Sequence, residues 1–354
     1  MVPLLFSAAL VLGQQSASAA EGRYGGTTPE LAQQRASEGG PTTIPEMWGA
    51  WCARCHAQDG SGKIAEPTVT VEPMDFTECR LTTAEPDADW ERAIAKGGPG
   101  VGLSPQMPAF EDSLTSAQVS AFVAHIRGFC RETGWPSGNA NFPRPIITEK
   151  AFPENEFLML PVVSHDREGH DGEVELRGLY ERRLGKRSMF EVGVPINNDG
   201  LGSLEIAVKH ALHASGMNIV SLGMEAAIPR NDEATLVFEP FISAGTMRRD
   251  WYVQAQLKYE LPRDRLKADR AIVYNAYFGR DTSLAPTTWT LGIELNGEND
   301  EIAVTPQLRK GLTGTGALAA SIGVMLPVTE RQEQGVRWVG YLLWEYLEPW
   351  RARR

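Results

Sequence analysis

The hydrophobic and polar positions of the chain follow two different periods. Near residues 48–55 and 119–130, apolar side chains recur every three or four positions, which is typical of amphipathic helices, and a loop-rich stretch lies between them. Beyond residue 156, apolar and polar residues alternate in segments of about ten residues separated by turn-forming clusters, which is typical of β-strands. The pattern therefore predicts a small all-α domain followed by an all-β domain of about 12 strands.

The first part of the chain carries two clear helix signals. Pro45 is suited to the first turn of a helix, and the apolar face that follows it includes both Cys52 and Cys55. Thr115 and Gln118 have the spacing of a capping box and precede a second apolar stripe that ends at Cys130. Glycines 97, 98 and 100, with Pro99, interrupt any helix between these two.

The strand pattern favours an up-and-down antiparallel β-barrel over a β-sandwich. Ten residues at about 3.3 Å each, tilted by about 45°, rise roughly 23 Å, close to the ~25 Å apolar band of an outer-membrane barrel. One face of the strands is apolar with Trp251, Trp289, Trp338 and Trp344 near strand ends, and the opposite face carries glutamates. A soluble sandwich has the same period and is the alternative.

Composition divides the rest of the chain. An apolar run followed by small residues predicts a signal peptide at 1–20, and therefore export. A Gly-, Thr- and Ser-rich stretch predicts a flexible leader at 21–43, ahead of the helical domain at 44–133. Four prolines predict an extended linker at 134–155, which leaves the barrel at 156–347 and a basic tail at 348–354.

Four cysteines suggest two different uses. Cys52, Cys55 and His56 form the sequence Cys-Ala-Arg-Cys-His, in which two thiols bind the vinyl groups of haem c and the imidazole ligates the iron. A thioredoxin-like dithiol would need a preceding strand, and a zinc site a second ligand pair, and the sequence offers neither. Cys79 and Cys130 remain as a candidate disulfide in an oxidising compartment, or as two unrelated buried thiols.

The second iron ligand is expected downstream on a rigid, non-helical segment. Met107 meets this condition because it precedes Pro108 in a proline-flanked loop, and a thioether is a common axial ligand of c-type haem. Met74 and His125 are the alternatives. The predicted metal ligands are thus His56 and Met107.

Two families resemble these segments. Residues 44–133, with the Cys-Ala-Arg-Cys-His motif and the Met107–Phe110 loop, resemble a class I monohaem cytochrome c domain. The region from about 156 to 347 resembles, through residues 190–196 and 202–210, the outer-membrane barrel family named for a phenol meta-cleavage pathway. The combination is similar to the fused cytochrome-porins of iron-oxidising bacteria, and this resemblance implies electron passage across the outer membrane.

The sequence thus leads us to expect an outer-membrane-associated c-type cytochrome that transfers electrons between a periplasmic redox protein and an extracellular or lumenal redox species. The haem domain would lie on the periplasmic side of the outer-membrane lipid. The alternatives are a periplasmic electron carrier with a sandwich or anchoring domain, and an oxidoreductase whose β domain binds an organic substrate. Residues 21–133 hold 16 acidic and 9 basic side chains, so a protein partner would present a basic surface. A net charge of -11 argues against nucleic acid.

Overall fold

The structure is a computed structural model that describes residues 40–164, 172–283, 287–329 and 335–346. The predicted signal peptide at 1–20, the basic tail at 348–354 and nearly all of the leader at 21–43 lie outside the described residues. The expectations for these segments therefore stay predictions.

The described part of the β domain is a closed antiparallel barrel. Twelve strands have nine to twelve residues, and each of them pairs with the long strands before and after it in the chain. The first strand also pairs with the last, which closes the sheet, and one two-residue strand pairs only with the long strand that precedes it. The strands are β1 Glu156–Ser164, β2 Val174–Leu184, β3 Ser188–Asn197, β4 Gly200–Leu201, β5 Leu204–Ser215, β6 Asn218–Ile228, β7 Val237–Arg248, β8 Trp251–Pro262, β9 Ala271–Asp281, β10 Trp289–Glu298, β11 Glu301–Gly311, β12 Leu318–Pro327 and β13 Arg337–Glu345.

The prediction of a twelve-stranded up-and-down barrel is confirmed, and the sandwich alternative is wrong. A sandwich buries the apolar face of each strand between two sheets. Here the apolar face lies outside and stays exposed, as for Leu291 at 55% and Ile322 at 56%, while glutamates such as Glu181 and Glu294 are fully buried inside. This inverted arrangement is that of a transmembrane barrel.

The helices before the barrel are few and short. They are α1 Ile44–Met47, a π-helical turn Trp48–Cys52, α2 Ala53–His56, α3 Cys79–Thr82, α4 Asp87–Gly100 and α5 Ser116–Arg127, followed by a 3-10 turn at Gly138–Ala140. The capping box of Thr115 and Gln118 is confirmed. None of the described helices has the length and apolar character that crossing a membrane requires.

We call the described residues 40–133 the helical unit. Its apolar side chains form one cluster around Trp48, Trp90 and Phe122. Cys79 and Cys130 form a disulfide, as the sequence suggested.

Within α4, Gly97 has a φ of 67° that ends the regular helix, and a Cβ there would lie 2.7 Å from the carbonyl carbon of Pro108. Glycine at this position therefore allows the Met107 loop to pack directly against the helix.

Candidate functional site

The barrel interior is occupied by the chain's own connecting segment. We call residues 142–155 the plug. Phe142 and Phe152 are buried against Ala211 and Ile219 of the barrel wall, and Ile146 is buried against a separate cluster that contains Leu158. The sequence predicted an extended linker here, and the structure instead places this segment inside the lumen.

One wall carboxylate holds the tip of the plug. Glu294 on β10 accepts hydrogen bonds from the backbone amides of Ile146 and Thr148, both at 2.7 Å, and of Ile147 at 3.1 Å. The hydroxyl of Thr148 donates to the same carboxylate at 2.6 Å, and the side-chain amide of Gln307 donates to it as well. Because Glu294 is fully buried, these donors replace the water that an ionised carboxylate requires.

A second set of contacts pairs buried charges between plug and wall. Arg144 of the plug binds Glu156 of β1 at 3.2 Å and Glu181 of β2 at shorter range. Lys150 binds Glu156 at 3.2 Å and Glu154 at 2.8 Å. Breaking one such pair leaves a buried charge without compensation, which costs far more than an exposed ion pair is worth.

The network also explains the one cluster of acidic groups with metal-site spacing among the described residues. Carboxylate oxygens of Glu149, Glu181 and Glu191 lie within 4.8 Å of one another. Arg144 pairs with Glu181, Lys209 of β5 pairs with Glu149, and Arg177 of β2 lies 3.9 Å from Glu191, so each carboxylate of the cluster already has a cation beside it. We assign no metal to it.

Charged residues beyond the plug continue along the lumen towards the opposite end. Arg177 pairs with Glu205 and lies 3.9 Å from both Glu191 and Glu225. Lys258 pairs with Glu239 and lies 3.9 Å from Glu225. Glu191, Glu225 and Glu239, which the sequence assigned to the lumen, are therefore inside, but each lies near a cation and they do not form a free anionic surface.

The helical unit brings the predicted haem-binding residues onto one short helical stretch. Cys52 ends the π-helical turn and Cys55 and His56 lie in α2; all three are half-buried, and both thiols are free. Burial, together with neighbouring Cys55, raises the pKa of Cys52 to about 12. Because the thiolate is the reactive form of cysteine, a pair that contains a thiol with so high a pKa is poorly suited to dithiol redox chemistry.

The imidazole of His56 stands against an aromatic wall. Its ring stacks on Phe76 with 4.6 Å between centroids, and Trp48 lies 6.1 Å away. Burial lowers the pKa of His56, so the neutral ring that can bind iron is favoured. Its buried Nδ1 has no hydrogen-bond partner among the described residues. Two free thiols and an incompletely bonded imidazole are compatible with covalent haem.

The loop of Met107 is tied to the same region. The side-chain oxygen of Gln106 accepts from the amides of Thr70 at 2.9 Å and Val71 at 3.3 Å, and Thr68 lies 3.6 Å from the sulfur of Cys55. Met107 itself is half-buried. Its role as a ligand stays a prediction.

Of the two alternatives to Met107, His125 lies inside an aromatic cluster, with its ring 5.5 Å from Trp48 and 5.1 Å from Phe129. Met74 is 37% exposed.

No family model matches the chain, and no curated protein matches it. Among solved structures, it resembles the KdgM porin in complex with a disordered oligogalacturonate, at 10% identity and a TM-score of 0.43 over 54% of this chain and 99% of that one. It also resembles the NanC porin, at 11% identity and a TM-score of 0.41 over 53% of this chain and 100% of that one. It resembles an outer-membrane channel from Pseudomonas putida F1 at 13% identity and a TM-score of 0.40, over 58% of this chain and 100% of that one. Likenesses this distant carry no argument of their own, and the barrel rests on its strand pairing.

The expectation of an electron-transfer protein is contradicted. The physical reason lies in the lumen. One haem cannot carry electrons across a ~25 Å wall, so electron transfer would require a redox species to enter the barrel. The plug occupies the space that this species needed.

Sequence reasoning placed Glu294 in the lumen but missed its partner. The available signal was the charge of the linker, because Arg144, Glu149, Lys150 and Glu154 are unusual in a segment meant only to span a distance. Four ionisable residues in so short a segment are suited to forming ion pairs and hydrogen bonds with a charged interior.

Proposed function

We propose that the chain is an outer-membrane channel closed in its resting state by its own plug. The support for the membrane location is the outer surface, where long apolar side chains such as Leu257 and Leu342 are about half exposed around the barrel. The support for closure is the contact of Glu294 with three backbone amides of the plug.

We place the helical unit on the periplasmic side. Outer-membrane barrels have short periplasmic turns and longer extracellular loops. At the end where β1 starts, three of the five connections have two or three residues; at the other end, five of the six have six to nine. The helical unit contacts the first of these ends, since Lys186 donates to the carbonyl oxygen of Thr133 at 2.8 Å. Arg187 donates to the carbonyl oxygen of Gly134, which directly follows the unit, at 2.7 Å.

We further propose that the helical unit is a cytochrome c-like domain that holds one haem c through Cys52, Cys55 and His56, with Met107 as the second axial ligand. The support is the pair of free thiols beside an imidazole whose Nδ1 is unpartnered, in a unit whose other two cysteines are joined. The haem, when bound, supplies an iron centre. The chain's own residues anchor it, and Phe76 and Trp48 shield His56 from water.

Conductance in planar lipid bilayers tests the channel. The wild-type barrel should be almost silent, because the plug fills the lumen. The double variant E294A/T148A, which removes the carboxylate and one of its donors, should give long openings. E298Q, at the far end of the same strand and outside these contacts, should behave as the wild type. Heat-modifiable gel migration checks that each barrel is folded.

Two outcomes would overturn the proposal. An open wild-type pore would mean that the plug does not close the lumen. If the double variant exposes residues 142–155 to protease and still does not conduct, the barrel is a membrane anchor and not a channel. The haem is tested separately by haem staining of denatured protein, in which C52A/C55A should lose the stain.

A further inference from the structure

On five neighbouring strands, the outward-facing residues change from apolar to cationic or tryptophan at one end of the barrel. Along β7 to β11 these faces are apolar over most of their length. At the end where the helical unit lies, each strand instead finishes with a cation or a tryptophan: Arg248, Trp251, Arg280, Trp289 and Lys310. We call these five residues the basic rim.

Cations and tryptophans of the basic rim are in contact. The guanidinium of Arg280 lies 5.9 Å from the ring centre of Trp251, and the ammonium of Lys310 lies 4.8 Å from that of Trp289. Arg248 is the direct pairing partner of Trp251 across the β7–β8 hairpin. Each tryptophan thus positions a cation at the boundary of the apolar surface.

The rim carries an excess of positive charge. Arg249 in the β7–β8 turn adds a fourth cation, and Asp250 in the same turn is acidic. Asp281, which follows Arg280, faces the lumen, where it accepts hydrogen bonds from Tyr252 and Thr290. Asp250 pairs with Arg280 at 3.2 Å, but both side chains are more than half exposed, so this pair is weak. A positive surface therefore remains at this edge.

The opposite ends of the same five strands lack this feature. Their outward residues at that edge are all apolar: Phe238, Leu261, Ile272, Leu295 and Ile302. At the opposite edge, cations such as Arg263 and Arg265 lie in the connection beyond the strands and not at outward strand positions. Among these five strands, cations next to the apolar belt are therefore found at one edge.

We propose that the basic rim binds the headgroups of anionic phospholipids, which rests on the proposed membrane location of the barrel. The partner must place an apolar part against the belt and a negative group against the cations directly beside it. A phospholipid has both parts at this spacing, with acyl chains on Leu291 and Ile293 and its phosphate on Arg280 and Lys310. A soluble acidic protein would meet the cations but would leave the adjoining belt to lipid.

Native mass spectrometry of the intact protein tests this proposal. Detergent-solubilised protein is incubated with equal amounts of phosphatidylglycerol and phosphatidylethanolamine of the same acyl chains. The wild type should retain phosphatidylglycerol in preference. R248Q/R280Q/K310Q should lower that retention by about fivefold or more, since each cation near the interface adds to the attraction.

The matched control removes the same charge elsewhere. R263Q/R265Q/K267Q changes three cations of the β8–β9 connection, at the opposite end of the barrel, and should retain phosphatidylglycerol as the wild type does. Equal retention of both lipids by the wild type, or equal losses in the two triple variants, would overturn the proposal. Extraction of the folded wild type from cells without detergent would instead refute the membrane location itself.

Discussion

Thr148 and Glu294, separated by 146 positions in the chain, are joined by two hydrogen bonds inside the barrel: the backbone amide and the hydroxyl of Thr148 both donate to the same carboxylate oxygen, at 2.7 and 2.6 Å. The contact fixes the connecting segment to the wall at about half the height of β10. Because the chain runs from the helical unit into the plug, this contact couples the position of the helical unit to whether the lumen is filled.

Substituting Glu294 with glutamine should loosen the plug without emptying the lumen. The amide retains one acceptor oxygen but loses the negative charge that stabilises three N–H donors, and its own NH2 group faces them. Hydrogen bonds to charged groups contribute about 1.5–3 kcal/mol each. We expect brief openings in single-channel recordings, shorter than those of E294A/T148A. An unchanged silent record for both variants would contradict the proposed role of this carboxylate.

Replacing Arg144 with methionine should destabilise the barrel by about 3–5 kcal/mol, because Glu181 would stay buried without a cation and Glu156 would keep only Lys150. The midpoint of heat-modifiable gel migration measures this loss. Arg182, one residue from Glu181 and exposed on the outer face, supplies the control, and R182M should shift the midpoint little.

Glu85 of the helical unit and Glu154 of the plug line one small cavity, and this contact should weaken as the pH rises. Burial, with Asp89 and Glu154 nearby, raises the pKa of Glu85 from 4.5 to about 7. The docked state then binds more protons than the undocked state between about pH 4.5 and 7, so docking is strongest at the acidic end of this range and is weakened above it. Fluorescence energy transfer between labels on the helical unit and on a barrel loop reports the change. E85Q should stay docked at pH 8.

Removing the disulfide should affect the helical unit alone. The bond closes a loop across a separation of 51 residues, and the loss of this constraint costs about 4 kcal/mol by loop entropy. In C79S/C130S, hydrogen exchange should accelerate in α5 and stay unchanged in the barrel strands. Accelerated exchange throughout the barrel would indicate that the two parts unfold together.

Met107 as an iron ligand is checked by the spectrum of the haem-loaded protein. M107H replaces a thioether with an imidazole, so the near-infrared band of methionine ligation should disappear and the potential should fall. M74L is the control and should leave the band in place. If M74L removes the band and M107H does not, Met74 is the ligand.

The sequence by itself determined the barrel, because an alternation of period two over about ten residues leaves one apolar and one polar face on every strand. The number of strands, the buried position of Glu294 and the exposed position of Trp251 follow from that alternation. It also determined the capping box at Thr115, which depends on residues three positions apart. Such local patterns require no knowledge of distant contacts.

Only the tertiary structure decided what the lumen contains. Periodicity gives the face on which a side chain lies but not what fills the space in front of it, and a segment without period, such as residues 142–155, carries no such information. The ion pairs of Arg144 and the amides that meet Glu294 arise when the barrel closes around that segment, since a buried carboxylate must find donors wherever the fold brings them.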